Sequence, residues 1–240
     1  MSKLFYYELK RLLLRKWNFG FLAVLLFYAF GLMQSEIIMG IANTAPFSPW
    51  SFAVYFAKLM PILLTGLVCF LSFFCSEQEK RAEQLINPVC LFPQKQKWVR
   101  LLVALTAFLF SVCCAAGVAF GIYGKVFGFT DFFSLVPAGV AVILPPAALV
   151  FGVGCIAATA EKHADKAVLA LCLPILIPAF FHEISYLDWY GIRFWGDYAA
   201  SFSTADPPFS LPPAVLLIQS AVTLTGFFLF IVAEKKKMKR

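Results

Sequence analysis

The sequence predicts an all-α polytopic membrane protein: six transmembrane helices, an N-terminal interfacial helix, and both termini on the cytoplasmic side. Three observations predict it. The 240 residues are 61% hydrophobic and only 14% charged, with a mean hydropathy of +0.82, whereas a soluble domain carries about 25% charged residues. The apolar residues come in runs bounded by charge and long enough to cross a bilayer. The basic residues fall almost entirely on one side of those runs. Such a composition excludes an ordinary soluble enzyme and a disordered chain. The 28 Phe residues and 17% aromatic content suit lipid-facing helices.

A crossing helix needs about 20 mostly apolar residues, because lipid offers no partner to backbone N–H and C=O groups. Lys16 and Glu36 enclose 19 uncharged residues, Lys58 and Glu77 enclose 18, and Arg100 and Lys125 enclose 24. Asp131 and Glu161 enclose 29, and Asp206 and Glu234 enclose 27. The run between Lys166 and His182 is only 15 residues and holds Pro174 and Pro178, which makes it the least secure span. The expected spans are 17–39, 54–75, 101–124, 136–159, 167–184 and 211–233, in one transmembrane domain covering 1–240.

Orientation follows from the placement of Lys and Arg. With six spans, one side receives residues 1–16, 76–100, 160–166 and 234–240, which hold 17 of the 20 basic residues. The other side receives only Lys58, Lys125 and Arg193. The basic-rich side is therefore expected to be cytoplasmic, in a bacterial inner or plasma membrane. The same asymmetry explains the isoelectric point of about 9.1 as a topology signal, so no nucleic-acid partner is expected. The tail Lys235, Lys236, Lys237, Lys239 and Arg240 is placed to touch anionic headgroups of membrane lipids. The first span is too long, and lacks the small-residue site, for a cleaved signal peptide. None of the seven cysteines falls in an outer loop, so no disulfide framework is expected.

Residues 2–16 read as a helix lying in the headgroup plane. At a 3.6-residue period Phe5, Leu9 and Leu12 fall on one side, and Glu8, Arg11 and Arg15 on the other. The loop 76–100 opens with strong helix formers. Ser76 and Glu79 have capping-box spacing, and Asn87-Pro88 stops the helix. Val89-Cys90-Leu91-Phe92 is then an apolar stretch on an aqueous side, which calls for a partner surface. In the third span Gly117 and Gly121 have the spacing of a close helix contact in lipid. Pro61 and Pro145-Pro146 interrupt the second and fourth spans. Residues 185–210 carry Tyr186, Trp189, Tyr190, Phe194, Trp195 and Tyr198, and read as a re-entrant or interfacial helix pair at the outer face.

Catalytic chemistry is not legible. His182-Glu183 lacks the second histidine of a zinc-protease helix, Gly124-Lys125 lacks the rest of a phosphate loop, and no nucleophile elbow occurs. No catalytic residue, metal site or cofactor is assigned, and the chain is not expected to be an enzyme. Asp188 and Asp197 read as solvated loop charges. Glu36 and Lys58 sit near the outer ends of neighbouring spans, where ionisable groups are costly enough to be paired, functional or drawn to the interface; an intramembrane ion pair is one reading and simple snorkelling the other.

An interfacial helix followed by six spans with both ends inside resembles the membrane subunit of a type-2 ABC exporter. In that family the second span runs into an acidic helix of the form E-x-E-x-G-T-L-E-x-L-L-x-x-P with a basic segment after it. Glu77, Glu79, Glu83, Leu85, Ile86 and Pro88 follow this trend, and Lys95, Lys97 and Arg100 come next; the usual Gly-Thr is missing. The resemblance implies that 76–93 is a coupling helix docking on a separate ATP-binding cassette subunit, with Glu77, Glu79, Glu83, Leu85 and Phe92 in that contact. It also implies a second permease subunit, identical or different, and ATP-driven efflux of a peptide, drug or lipid-like substrate. The alternative is a non-transport membrane scaffold or immunity-type binding protein. An intramembrane enzyme would need Ser72, Thr106 or Ser111 to find an acidic or histidine partner at bilayer depth.

Overall fold

A computed structural model of the chain describes residues 2–41, 43–76, 93–159, 164–182, 184, 188 and 190–238. Among these the fold is helical, with no strand and only an isolated bridge between Ile41 and Thr44. We number the α-helices in chain order: α1 Ser2–Leu13, α2 Lys16–Leu32, α3 Pro49–Cys75, α4 Pro93–Phe127, α5 Val136–Ala157, α6 Ala164–Phe180, α7 Ile192–Ala200 and α8 Pro213–Met238. Helix α2 continues through a π-turn, Met33–Ile37, and a 3₁₀ turn, Phe132–Leu135, leads into α5.

Among the described residues, five helices are long and apolar enough to cross a bilayer: Lys16–Ile37, Pro49–Cys75, Trp98–Phe127, Phe132–Ala157 and Pro213–Lys235. These answer to the first four expected spans and the sixth. The expected fifth span corresponds to α6, which has 17 residues and contains Pro174 and Pro178. At 1.5 Å per residue it is about 25 Å long, short of the roughly 30 Å hydrocarbon layer. The structure thus supports a multi-pass arrangement with five candidate crossings.

Helix α3 is the hub. It packs against α2, α4, α5, α6 and α7, and is buried along almost its whole length, from Trp50 to Phe73. Its start lies five residues before the expected span, for a local reason. Ser48 sits at the N-cap, where its Oγ accepts from the Ser51 N–H at 3.2 Å, and Pro49 occupies the first helical turn. Helix α4 also begins earlier than expected, at Pro93, and it ends at Phe127 before Gly128, whose φ of 66° stops the helix.

Close approach in this bundle is made at glycines the sequence pattern did not single out. Helices α5 and α8 cross at Gly152 and Gly226: a Cβ on Gly152 would overlap the Gly226 carbonyl, and one on Gly226 would meet the Leu149 nitrogen at 2.7 Å. Gly117 and Gly121, the pair with the expected spacing, have nothing within 4 Å of where a Cβ would sit. Both glycines are exposed among the described residues. We therefore predict that Gly226→Val lowers the thermal unfolding midpoint in detergent by several degrees, the expected cost of overpacking being about 1–3 kcal/mol. The double change G117A/G121A should leave that midpoint within a degree.

Candidate functional site

Three places bring chemistry together, two at the ends of α3 and one along its flank. The first lies at the Trp50 end. Trp50 is fully buried, with ring centroids 4.9 Å from Tyr198, 5.2 Å from Phe202, 5.1 Å from Phe209 and 6.0 Å from Trp195. Its Nε1 donates to the Pro208 carbonyl at 3.4 Å. Nearby, the Ala45 N–H donates to the Ala205 carbonyl at 2.6 Å. The aromatic-rich segment therefore folds back over the end of the hub. One helix of the expected pair, α7, is described there; Tyr186 and Trp189 lie outside the described residues. Tyr190 anchors the segment from the other side, its Oη donating to the Ile175 carbonyl of α6 at 2.8 Å. Burial pushes that phenol above its usual range, so it remains a neutral donor.

Helix α7 starts where it does because of Asp188. Its Oδ1 accepts from the Ile192 N–H at 2.6 Å and its Oδ2 from the Arg193 N–H at 2.9 Å, a carboxylate cap that also complements the helix dipole. Asp188 is thus no solvated loop charge. The signal that locates it is an acidic residue a few positions before a short amphipathic run.

Between α3 and α7 is a polar cavity of about 380 Å³, lined by Val54, Lys58, His182, Ile192, Arg193, Gly196 and Asp197. Helical spacing explains the set. Val54 and Lys58 are one turn apart on α3, and Arg193, Gly196 and Asp197 share a face of α7. Lys58 Nζ donates to Glu36 Oε2, so the structure brings these two residues together. Glu36 belongs to the π-turn, where the Ile38 N–H reaches back five residues to the Met33 carbonyl at 2.9 Å. Such turns re-aim side chains and are frequent at functional sites. The Lys58 and Glu36 side chains keep 34% and 40% of their exposure. His182 Nδ1 faces the Ala179 carbonyl at 3.1 Å, and since a carbonyl only accepts, Nδ1 carries the proton.

The second place lies at the Cys75 end, where α1 meets the bases of α3 and α4. Glu8 is only 3% exposed; its Oε2 is 2.6 Å from Arg11 Nη2 and its Oε1 3.6 Å from Arg100 Nε. The sequence pattern placed Glu8 on the polar face. It is buried because Arg100, on the first turns of α4, is buried there too, and a paired carboxylate tolerates burial that a lone one does not. Arg15 lies over the Phe73 ring, 4.4 Å from its centroid. Tyr6 and Tyr7 of α1 point outward instead, as suits an interfacial helix. The residues expected to touch an ATP-binding subunit, Glu77, Glu79, Glu83, Leu85 and Phe92, all lie outside the described residues.

The third is an apolar groove of about 630 Å³. Phe52 and Phe56 of α3 contribute to its floor, and Phe108 and Val112 of α4, Ile143 and Phe151 of α5, and Phe227 and Phe230 of α8 to its walls. Two of the three hydroxyls considered for intramembrane catalysis donate within their own helix: Thr106 Oγ1 to the Leu102 carbonyl at 2.7 Å and Ser111 Oγ to the Ala107 carbonyl at 3.0 Å. Among the described residues no group of three or more His, Cys, Asp or Glu is placed to hold a metal.

The buried cluster yields a measurable coupling. Glu8→Ala should cost about 3 kcal/mol, the usual loss when one partner of a buried ion pair is removed. In a double-mutant cycle with Arg100→Leu, followed by thermal unfolding in detergent, the coupling should exceed about 1 kcal/mol. Additive losses would mean that Glu8 is held by other neighbours. Comparison with protein-family models, with curated proteins and with solved structures finds no match to this chain, so the geometry of these three places is what bears on function.

Proposed function

We propose that this chain is the permease subunit of an ABC exporter. In this reading two six-span subunits enclose a path, and α6 completes the sixth crossing with help from its neighbours in the bundle. Both termini, and the loop between α3 and α4, lie on the cytoplasmic side of the cell membrane. A separate subunit binds and hydrolyses ATP, and its closure is conveyed through the loop to the spans.

The observation that carries the reading is the Glu8 cluster. A coupling segment does mechanical work only if its push is transmitted, and transmission needs elements that move together. The loop 77–92 is strung between the Cys75 end of α3 and the start of α4. Helix α1 is tied to the same two bases, through Arg100 on α4 and through Arg11 and Arg15 against Phe73 on α3. A force on the loop therefore reaches the buried hub and the interfacial helix at once. The sequence trend of Glu77, Glu79, Glu83, Leu85, Ile86 and Pro88 supplies the acidic face that such a docking element presents. The apolar groove and lightly charged helices favour a hydrophobic or amphipathic cargo over a highly charged one.

The test is association. The full chain, purified from its native membrane, should bring down an ATP-binding cassette subunit and should hydrolyse no ATP alone. Removing residues 79–86 should abolish the association while leaving the chain folded by gel filtration. Retained association after the deletion would refute the coupling role of that segment, and a chain that carries no ATPase at all would favour the scaffold or immunity-type reading.

A further inference from the structure

The apolar groove is a gap between two parts of the bundle. Helix α4 packs on α1, α2 and α3, and α8 packs on α5; α3 lies between them and gives the gap its floor. Aromatic contacts close it at each end. At one end the Phe230 ring centroid is 5.7 Å from that of Trp98 and 5.7 Å from that of Phe151. At the other, Phe120 is 5.5 Å from Phe52 and 4.8 Å from Phe132. Between the two ends run aliphatic side chains such as Leu105, Leu109, Ile143 and Leu144, and none of the described lining residues is charged. From Trp98 to Phe120, α4 rises about 33 Å, close to the hydrocarbon thickness of a bilayer. The groove's 630 Å³ spread over that rise leaves a mean section of about 19 Å². An α-helix with its side chains is about 10 Å across and needs about 80 Å², so only a slender chain fits.

We infer that this groove is a binding site for one acyl chain of a membrane phospholipid, which enters from the side and carries its ester group at Trp98. A lining without charge complements a hydrocarbon tail and rejects a headgroup or a polar peptide. The rim residues Leu102, Leu109, Leu144 and Phe227 are exposed and large, and they hold a second helix off, since helices in a bilayer meet where their residues are small. The undescribed residues of the chain are too short to fill the groove. Residues 84–92 are uncharged, but they are bounded by Glu83, which must stay out of lipid, and by Pro93 at the base of α4. They have room to enter only doubled back, to about 15 Å, and the other undescribed stretches have four residues or fewer. The driving force is contact: an unfilled gap leaves its walls without partner atoms, and a tail that leaves bulk lipid for the groove keeps an apolar environment. Trp98 is half-exposed, two residues before the buried Arg100, and an indole with an apolar body and one N–H donor prefers that boundary. The N–H supplies the donor for an ester carbonyl. A chain reaching half the hydrocarbon layer, about 15 Å, then ends near Phe108, ten residues along α4. The inference rests on the membrane setting of the chain and is independent of an ATPase partner.

The experiment uses the full chain in a neutral detergent, titrated with a phosphatidylcholine whose acyl chain bears a photoreactive diazirine near its end. Native mass spectrometry reads the binding, and peptide mapping after illumination reads its place. One lipid should be retained saturably, and its cross-links should fall on the groove walls, at residues 105–112 of α4 and 140–144 of α5. Leu105→Trp and Leu144→Trp, which fill the groove from opposite walls, should each weaken retention about tenfold. Leu217→Trp, on an exposed part of α8 outside the groove, should stay within twofold of the parent. Trp98→Phe should weaken binding about threefold, as one lost donor does, and leave the cross-links in place. Undiminished retention by both groove-filling variants, or cross-links concentrated on α8 outside the groove, would overturn the proposal. So would a lipid-free dimer that Leu105→Trp dissociates, which assigns the groove to a second copy of the chain. Gel-filtration profiles matching the parent establish that each variant is folded, and fillers on two different helices keep the test open if one of them is not.

Discussion

Apolarity does not decide which helix of this chain sits at the centre, because nearly all of them are apolar. In lipid the hydrophobic effect gives no reason for one such helix to bury itself against another, and association falls to close packing and polar contacts. The arrangement around α3 depends on that constraint. Phe52, Tyr55, Phe56, Phe70 and Phe73 give α3 large side chains on several faces; α5 meets the hub with small residues, while α2 and α4 bring aromatic rings to Phe70 and Phe52. Gly139 of α5 faces Phe52 with a would-be Cβ contact of 3.0 Å, and Gly154 faces Leu71 at 2.6 Å. At α5 the knobs are on the hub and the gaps on its neighbour, and at α2 the order reverses, with Phe21 filling the space over Gly66 of α3; such fits place the centre where a hydropathy profile cannot. The polar contribution is equally local: Tyr55 Oη donates to the Ala115 carbonyl of α4 at 2.8 Å, and Thr65 Oγ1 to the Pro61 carbonyl within α3.

What the sequence shows well is the property that lipid enforces residue by residue, the continuity of apolar runs between charges. Five of the expected runs reappear as helices long enough to cross, with ends moved by caps that a charge boundary does not mark: Ser48 for α3 and Gly128 for α4. What it shows poorly is which face meets which. Gly117 and Gly121 carried the familiar spacing and face open space, whereas Gly152 and Gly226 lie on different helices with no common spacing to betray them. Glu8 sat among basic residues on a polar stripe, and only the three-dimensional approach of Arg100, 92 positions away, makes its burial sensible. Lys58, Arg193 and Asp197 were likewise visible singly as outer charges. Their convergence needed α7 to fold back, and that depends on long-range aromatic contacts to Trp50.

The two charge sites at opposite ends of α3 differ in kind, and magnitudes say how. A carboxylate that is 3% exposed has lost nearly all its water, so removing its partners costs several kcal/mol and the contact acts as a fixed joint. A pair whose members retain 34% and 40% of their exposure is screened, and contributes at most about 1 kcal/mol. The first is suited to transmitting motion without yielding. The second yields readily. A single helix of 27 residues, about 40 Å long and interrupted by Pro61, joins them. The two ends of α3 therefore differ in strength: a joint that costs several kcal/mol to break at one, and a screened pair that opens at little cost at the other.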